Sequence, residues 1–290
     1  MVVKMIVAWK YKARSTLWQR FDPRARLLFM LAMLLSILYF WDVRVLLIFL
    51  VLAALQYALA RLTFRETRRA WLIMGPLIFV LTVVTMLTGK GGEGVYTGHH
   101  PLIALPALVL PLIGRVAIVF SAEQVTFAAA QLVRLLAIAL LAIVVPYTID
   151  PSLYGVIFRG LGLPDKFAYA MDLAFRLVPT LGRDFSITYD AQRARGYELE
   201  RLRGGVVQQI RRIAPLLVPV VVQAIVGGEE TIDAMDLRSF GVRPRTWLTR
   251  LIYRRTDYVL LGLSALILIA STVVTLSGYG RFWLPPALLR

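Results

Sequence analysis

The chain has no cysteine and only two histidines in 290 residues. Disulfides, thiolate chemistry and cysteine-built zinc sites are therefore excluded. The histidines, His99 and His100, are neighbours in a segment without a nearby acid cluster, which reads as solvated loop rather than metal site. Acids are also scarce, 17 Asp and Glu against 33 Lys and Arg, for a formal net charge of +16. The uncharged runs offer no paired carboxylates and no histidine or cysteine nucleophile system, which argues against an enzyme and against any resident cofactor or metal. A phosphate-binding loop is missing too. Gly89-Lys90 has Val84 where the first glycine of G-x-x-x-x-G-K-[ST] belongs, and Gly91 follows the lysine.

Apolar surface is what the sequence has in plenty. At 59% hydrophobic residues it holds more than one compact soluble core can bury, so lipid must be part of its solvent. The basic residues flank and join the apolar runs, so the excess charge reads as membrane topology and not as nucleic-acid binding. Residues 1–26 carry Lys4, Lys10, Lys12, Arg14, Arg20, Arg24 and Arg26 with no small-residue cleavage site after them, so the first span is expected to be retained as an anchor.

Uncharged or nearly uncharged stretches predict about five crossings: Leu27 to Trp41, Val45 to Ala60, Trp71 to Thr88, Gln124 to Ile149 interrupted only by Arg134, and Tyr258 to Gly280. Lysine and arginine resist translocation, so residues 1–26 and the loop with Arg61, Arg65, Arg68 and Arg69 are expected in the cytoplasm. Residues 89–123 hold only Lys90 and Arg115 as basic residues and are expected outside. Pro101, Pro106 and Pro111 break helix continuity there, which suggests an external or interfacial segment, with Arg115 interfacial. Residues 151–257 form a large basic segment, expected to be a cytoplasmic domain. A last span over 258–280 would leave the tail, 281–290, outside.

Within that domain, apolar residues at Phe167, Met171, Phe175, Val178, Leu181, Phe185 and Tyr189 mark one face of an amphipathic helix, with Asp172 and Arg176 placed to pair on the polar side. A second helix runs from Val206 past Ile232. Its middle, Ile213 to Gly227, is nearly all apolar, but a crossing there would carry Arg238 and the basic residues after it outside. It is expected in the cytoplasm against the membrane face, with Gly227-Gly228 weakening or bending it. The two helices end alike, Asp190-Ala191-Gln192-Arg193-Ala194-Arg195-Gly196-Tyr197 and Asp233-Ala234-Met235-Asp236-Leu237-Arg238-Ser239-Phe240, a pattern D-A-x-x-x-R-[GS]-[YF] repeated 43 residues apart. One arginine near a helix C-terminus commonly just complements the macrodipole. Two matched ends suggest two equivalent sites on a partner with pseudo-twofold symmetry.

These residues resemble the T component of energy-coupling-factor (ECF) transporters, the EcfT or CbiQ family. The resemblance is carried by Asp22-Pro23-Arg24-Ala25-Arg26-Leu27, by Ala194-Arg195-Gly196, and by Leu237-Arg238-Ser239, which keeps the arginine but departs at both neighbours. Arg134, Ala234-Met235 and the run Phe175-Arg176-Leu177-Val178-Pro179 are also family-like. The resemblance implies an all-α integral membrane protein of a prokaryotic cytoplasmic membrane, with a cytoplasmic coupling domain of long helices. It further implies that the six motif residues dock on two ABC-type ATPase subunits, and that an apolar face supports a substrate-binding membrane S component. Arg134 and Pro179 are candidate S-component or intramembrane contacts. ATP hydrolysis would lie with the partner chains, and vitamins and cobalt or nickel ions all remain open as cargo. A secondary transporter or another polytopic scaffold is the alternative; the former would be expected to carry midplane acids or repeated halves.

Overall fold

A computed structural model describes residues 11–88, 101–104, 108–110, 114–116, 119–196, 206–242, 249, 251–280 and 282–284. The first ten residues, His99, His100 and residues 285–290 lie outside the described residues. The fold is helical, and the chain divides into two compact units, Tyr11–Asp150 with Ile252–Arg290, and one built on Pro151–Leu251.

The first unit holds helices α1 (Pro23–Tyr39), α2 (Val43–Leu59), α3 (Phe64–Thr88) and α4 (Ala122–Thr148), and receives α8 (Arg255–Leu276) from the end of the chain. The second holds α5 (Tyr154–Gly160), α6 (Asp165–Ala194) and α7 (Val206–Leu237). Among the described residues the only strands are four short ones between α3 and α4. Of these, β1 (Pro101–Ala104) pairs antiparallel with β4 (Val119–Ser121), and β2 (Leu108–Leu110) with β3 (Gly114–Val116). The proline-interrupted segment thus forms ladders where helix is excluded.

Each span begins where a side chain can absorb orphan amides. Asp22 caps α1 by accepting from Arg24 N–H at 2.8 Å, with Pro23 at N1, where a missing donor costs nothing. Asp42 caps α2 in the same way at 2.9 Å, and Ser121 with Gln124 forms a capping box on α4. The third span starts two turns earlier than its uncharged core because Glu66 reaches back to Thr63 N–H at 3.4 Å. Among the described residues, four helices are long and apolar enough to cross a membrane: Phe64–Leu87, Ala122–Thr148, Ile213–Leu237 and Arg255–Leu276. The 17-residue α2 is apolar but shorter, and α1 has the same length. At 1.5 Å per residue each reaches about 25 Å, so flanking residues must complete the crossing.

The first and last spans pack along their length through small residues. Ala25, Ala32 and Ser36 of α1 and Ser264 and Ser271 of α8 are all buried, and small side chains let membrane helices approach closely. The core of this unit gathers Phe29, Met33, Ile37, Leu46, Phe49, Val133, Ala137, Leu141 and Leu260.

Contacts at the helix ends fix their directions. At one end of the bundle the start of α1 meets the start of α8 and the end of α4. Asp22 N–H donates to Asp257 Oδ1 at 2.8 Å, and Arg26 donates to Thr148 O at 2.9 Å. The start of α3 lies here too, since Tyr147 Oη donates to Glu66 O at 3.1 Å. At the other end, Trp41 N–H donates to Gly280 O at 3.1 Å, Trp41 stacks on Phe127 at 5.1 Å, and Arg44 lies 3.2 Å from the Trp283 ring centre. Lys12, Arg14, Arg24, Arg26 and Arg61 gather at the first end. There Lys12 (2.9 Å) and Arg14 hold Glu66, and Arg14 also donates to Arg61 O at 2.6 Å.

The second unit is built by close approach of α5 to α6. A Cβ at Gly155 would fall 2.5 Å from Ala168 O, so only glycine fits. Tyr154 stacks on Phe175 at 4.9 Å, and Arg159 pairs with Asp165 at 2.6 Å across the turn at Gly162-Leu163-Pro164. Asp172 and Arg176 pair at 3.2 Å on the polar side of α6, as their spacing predicts.

Candidate functional site

α6 and α7 lie antiparallel within the second unit. Near the start of α6, Tyr169 donates its hydroxyl to Met235 Sδ at 3.3 Å and packs its ring on Phe240 at 4.7 Å. Near the end of α6, Gln192 Nε2 donates to Pro215 O at 3.4 Å. That carbonyl is free because its helical partner would be the N–H of residue 219, which is proline. The two prolines of α7 therefore leave an acceptor that α6 uses. The helix runs unbroken through Gly227-Gly228, where the sequence suggests weakening or bending.

Both helices finish with the same turn. Arg195 caps α6, Gly196 follows at φ +83°, and Gly196 N–H donates to Arg193 O at 3.0 Å. At the end of α7, Ser239 sits at φ +52°, its N–H donates to Asp236 O at 2.9 Å, and Phe240 N–H donates to Met235 O at 2.9 Å. The latter pair is a complete Schellman motif. Serine for glycine is thus no change of geometry, because Ser239 adopts the left-handed conformation that Gly196 adopts freely. The Tyr169–Met235–Phe240 contact supplies the apolar clamp that commonly accompanies such a motif.

The six motif residues separate into two places. Ala194, Arg195 and Gly196 stand exposed at one end of the hairpin, and Leu237, Arg238 and Ser239 stand exposed at the other. Since Met235 is tied to Tyr169, and Arg195 lies 26 residues further along α6, the ends are about 40 Å apart. Among the described residues neither guanidinium has an ion-pair partner. Between the ends, α7 exposes an apolar stripe of Leu217, Val218, Val221, Val222, Ile225 and Val226. Pro179 is half-buried in mid-α6.

Arg134 belongs to the other unit. It is 6% exposed, donates to Phe40 O at the end of α1, and lies 3.8 Å from the Trp41 ring centre. It is the counterpart of Arg26, so α1 and α4 each give an arginine to a carbonyl at the other's C-terminus. That is the terminus where orphan carbonyls and the negative dipole end favour a cation. Asp257, which sequence reasoning passes over, ties the opposite end. It is fully buried and accepts from Asp22 N–H and from Arg254 N–H at 2.7 Å. Arg24 makes a forked bond to Asp22 (3.1 and 3.0 Å) and covers the Tyr253 ring at 3.9 Å. Burial pushes the Tyr253 phenol up, against the pull of Arg24. The signal for Asp257 is an acid three residues after Arg254, in the first turn of a long apolar run.

Comparison with known proteins agrees with this architecture. The profile of the family described as cobalt transport protein, CbiQ, matches residues 14–248. The energy-coupling factor transporter transmembrane protein EcfT of Clostridium kluyveri is 23% identical over 282 residues, 97% of this chain and 100% of that one. EcfT of Limosilactobacillus fermentum is 25% identical over 262 residues (86% and 89%), and EcfT of Thermanaerovibrio acidaminovorans 28% over 253 (83% and 86%). A bundle of apolar helices joined to a helical hairpin, matched over nearly its whole length by these relatives, places the chain in the CbiQ family as a transmembrane component of ECF transporters.

Proposed function

We propose that the chain couples two ABC-type ATPase subunits to a substrate-binding S component, with the arginine-bearing ends of α6 and α7 as the ATPase contacts. The observation that carries this reading is the recurrence of one left-handed turn behind an exposed arginine at both ends of the hairpin. Arg195 and Arg238 each present a planar guanidinium to acidic groups in an ATPase groove, a task lysine performs poorly. A spacing of about 40 Å suits two subunits side by side better than one pocket. The apolar stripe of α7 takes the S component or the membrane face beside it, and substrate choice, vitamin or transition metal, falls to that component. ATP hydrolysis falls to the partner chains.

The orientation follows from charge. The bundle end that gathers Lys12, Arg14, Arg24, Arg26 and Arg61 faces the cytoplasm of a prokaryotic cell, with the N-terminus on that side. The chain leaves the bundle after Thr148, beside Arg26, and re-enters at Asp257, beside Asp22, which is the same end. An intervening segment with one crossing would return on the opposite side. Ile213–Leu237, apolar as it is, therefore stays cytoplasmic with the rest of its unit.

Co-purification tests the coupling. Wild type retains the ATPase subunits in detergent, whereas Arg195→Glu with Arg238→Glu loses them while the membrane unit keeps its elution volume. A desolvated charge pair of this kind costs about 2–5 kcal/mol when one partner is removed. Retention of the ATPases by the double variant would make both helix ends ordinary solvated termini.

A further inference from the structure

The two ends share a backbone but not a chemistry. Aligned on their arginines, Asp190 matches Asp233, Ala191 matches Ala234 and Gly196 matches Ser239, yet Arg193 stands where Asp236 stands and Ala194 where Leu237 stands. Over these seven positions the α6 end carries Asp190, Arg193 and Arg195, a net +1, and the α7 end carries Asp233, Asp236 and Arg238, a net −1. Leu237 is 88% exposed and Val242, just past the turn, 78% exposed. Large aliphatic side chains held this far into water at a helix end are what a partner pocket buries. The α6 end has no counterpart at position 194. Among the described residues neither Arg193 nor Asp236 is engaged in an ion pair, so both charges are available to a partner.

Resting on the coupling reading above, we infer that Arg193-Ala194 and Asp236-Leu237 are specificity determinants that make the two ends non-interchangeable, each fitting its own ATPase groove. The groove for the α6 end is acidic, with carboxylates facing both Arg193 and Arg195. The groove for the α7 end has an apolar pocket for Leu237, an acid for Arg238 and a basic group facing Asp236. Like charges meet if the ends exchange, because Arg193 then faces the basic group and Asp236 the carboxylates. Such juxtapositions suppress the wrong pairing. One orientation of the hairpin on the ATPase pair results. Both contacts hold charge pairs, but the second adds apolar burial of Leu237 that salt does not screen, so the first is the more salt-sensitive.

The absence of cysteine makes the test clean. Ala191→Cys and Ala234→Cys are exposed, equivalent positions of the repeat. Each is coupled to a maleimide photocrosslinker in the assembled transporter, and the ATPase peptides captured are mapped by mass spectrometry. The two cysteines are expected to mark different grooves with about tenfold preference. Combining Arg193→Asp, Ala194→Leu, Asp236→Arg and Leu237→Ala is expected to invert that preference. Raising salt from about 0.1 to 0.5 M is expected to reduce capture from Ala191→Cys several-fold more than from Ala234→Cys, a readout that does not depend on the exchanged variant assembling. Capture of the same peptides in equal yield from both positions, or an equal response to salt, overturns the inference while leaving the coupling reading intact. Capture of no ATPase peptide from either position overturns the coupling reading itself, and the inference with it.

Discussion

Replacing Asp257 should loosen the whole membrane unit, although it lies at the very start of the last span. Its two oxygens serve two chain segments, Oδ1 accepting at 2.8 Å from the N–H of Asp22, 235 residues away, and Oδ2 at 2.7 Å from the N–H of Arg254 at the start of its own helix. Bonds to a charged acceptor contribute about 1.5–3 kcal/mol each. The acid in the first turn of α8 adds about 0.3–1 kcal/mol with the macrodipole. Desolvation of a fully buried carboxylate offsets part of this sum. Asp257→Ala is therefore expected to cost about 2–4 kcal/mol, and Asp257→Asn, with one acceptor oxygen left, about half as much. At about 2–4 °C per kcal/mol, the alanine variant should melt roughly 5–15 °C lower in detergent, followed by loss of the monodisperse peak in size-exclusion chromatography. A shift within 1 °C for the alanine variant would refute the role assigned to this carboxylate. Equal losses for Asn and Ala would refute the division of work between its two oxygens.

The shared helix-end turn makes a paired prediction. Gly196→Ala, at φ +83°, should speed amide exchange in the last turn of α6 about fivefold, for a cost of about 1 kcal/mol, and Ser239→Gly should slow it at the end of α7. Orientation is read by single cysteines in the cysteine-free chain. A membrane-impermeant maleimide should label Tyr279→Cys in intact cells, and Arg65→Cys only in inverted vesicles; the reverse pattern would overturn the cytoplasmic placement of the basic end.

The helices were legible because lipid imposes a one-letter rule, a long run without charge, that needs no knowledge of neighbours. α1 to α4 and α8 all fall on such runs, and the amphipathic spacing from Phe167 to Tyr189 marks α6. The boundaries were less legible, since α3 and α8 extend past their uncharged cores to Glu66 and Asp257, acids that look like loop charge until their amide partners are known. The paired arginines could be read from the 43-residue repeat, but the conformation of Ser239 could not, because a left-handed serine is set by the Schellman bonds around it. Arg134 shows the same limit. Its sequence position announces a charge in a span, whereas its partner, the Phe40 carbonyl, has no sequence signature.

The buried arginines bear on how force could pass through such a protein. Arg26 and Arg134 sit in α1 and α4, and each holds a carbonyl at the C-terminus of the other helix. Sliding α1 against α4 along their axes would break both bonds together and take the cationic donor from the Thr148 and Phe40 carbonyls, at about 1–3 kcal/mol for each. Asp257 adds a third tie, between α1 and α8. The membrane unit is thus stiff against axial slip. The second unit is held differently: among the described residues α6 and the α7 end meet through the Tyr169–Met235 hydrogen bond, the Tyr169–Phe240 ring contact and the long Gln192–Pro215 hydrogen bond, with a broad apolar stripe uncovered. Motion imposed at the ends of α6 and α7 would cost least within that hairpin. If the coupling proposed above holds, ATP-driven movement is expected to be taken up within α6 and α7 and passed to whatever covers the stripe, while the helices of the first unit serve as the fixed frame.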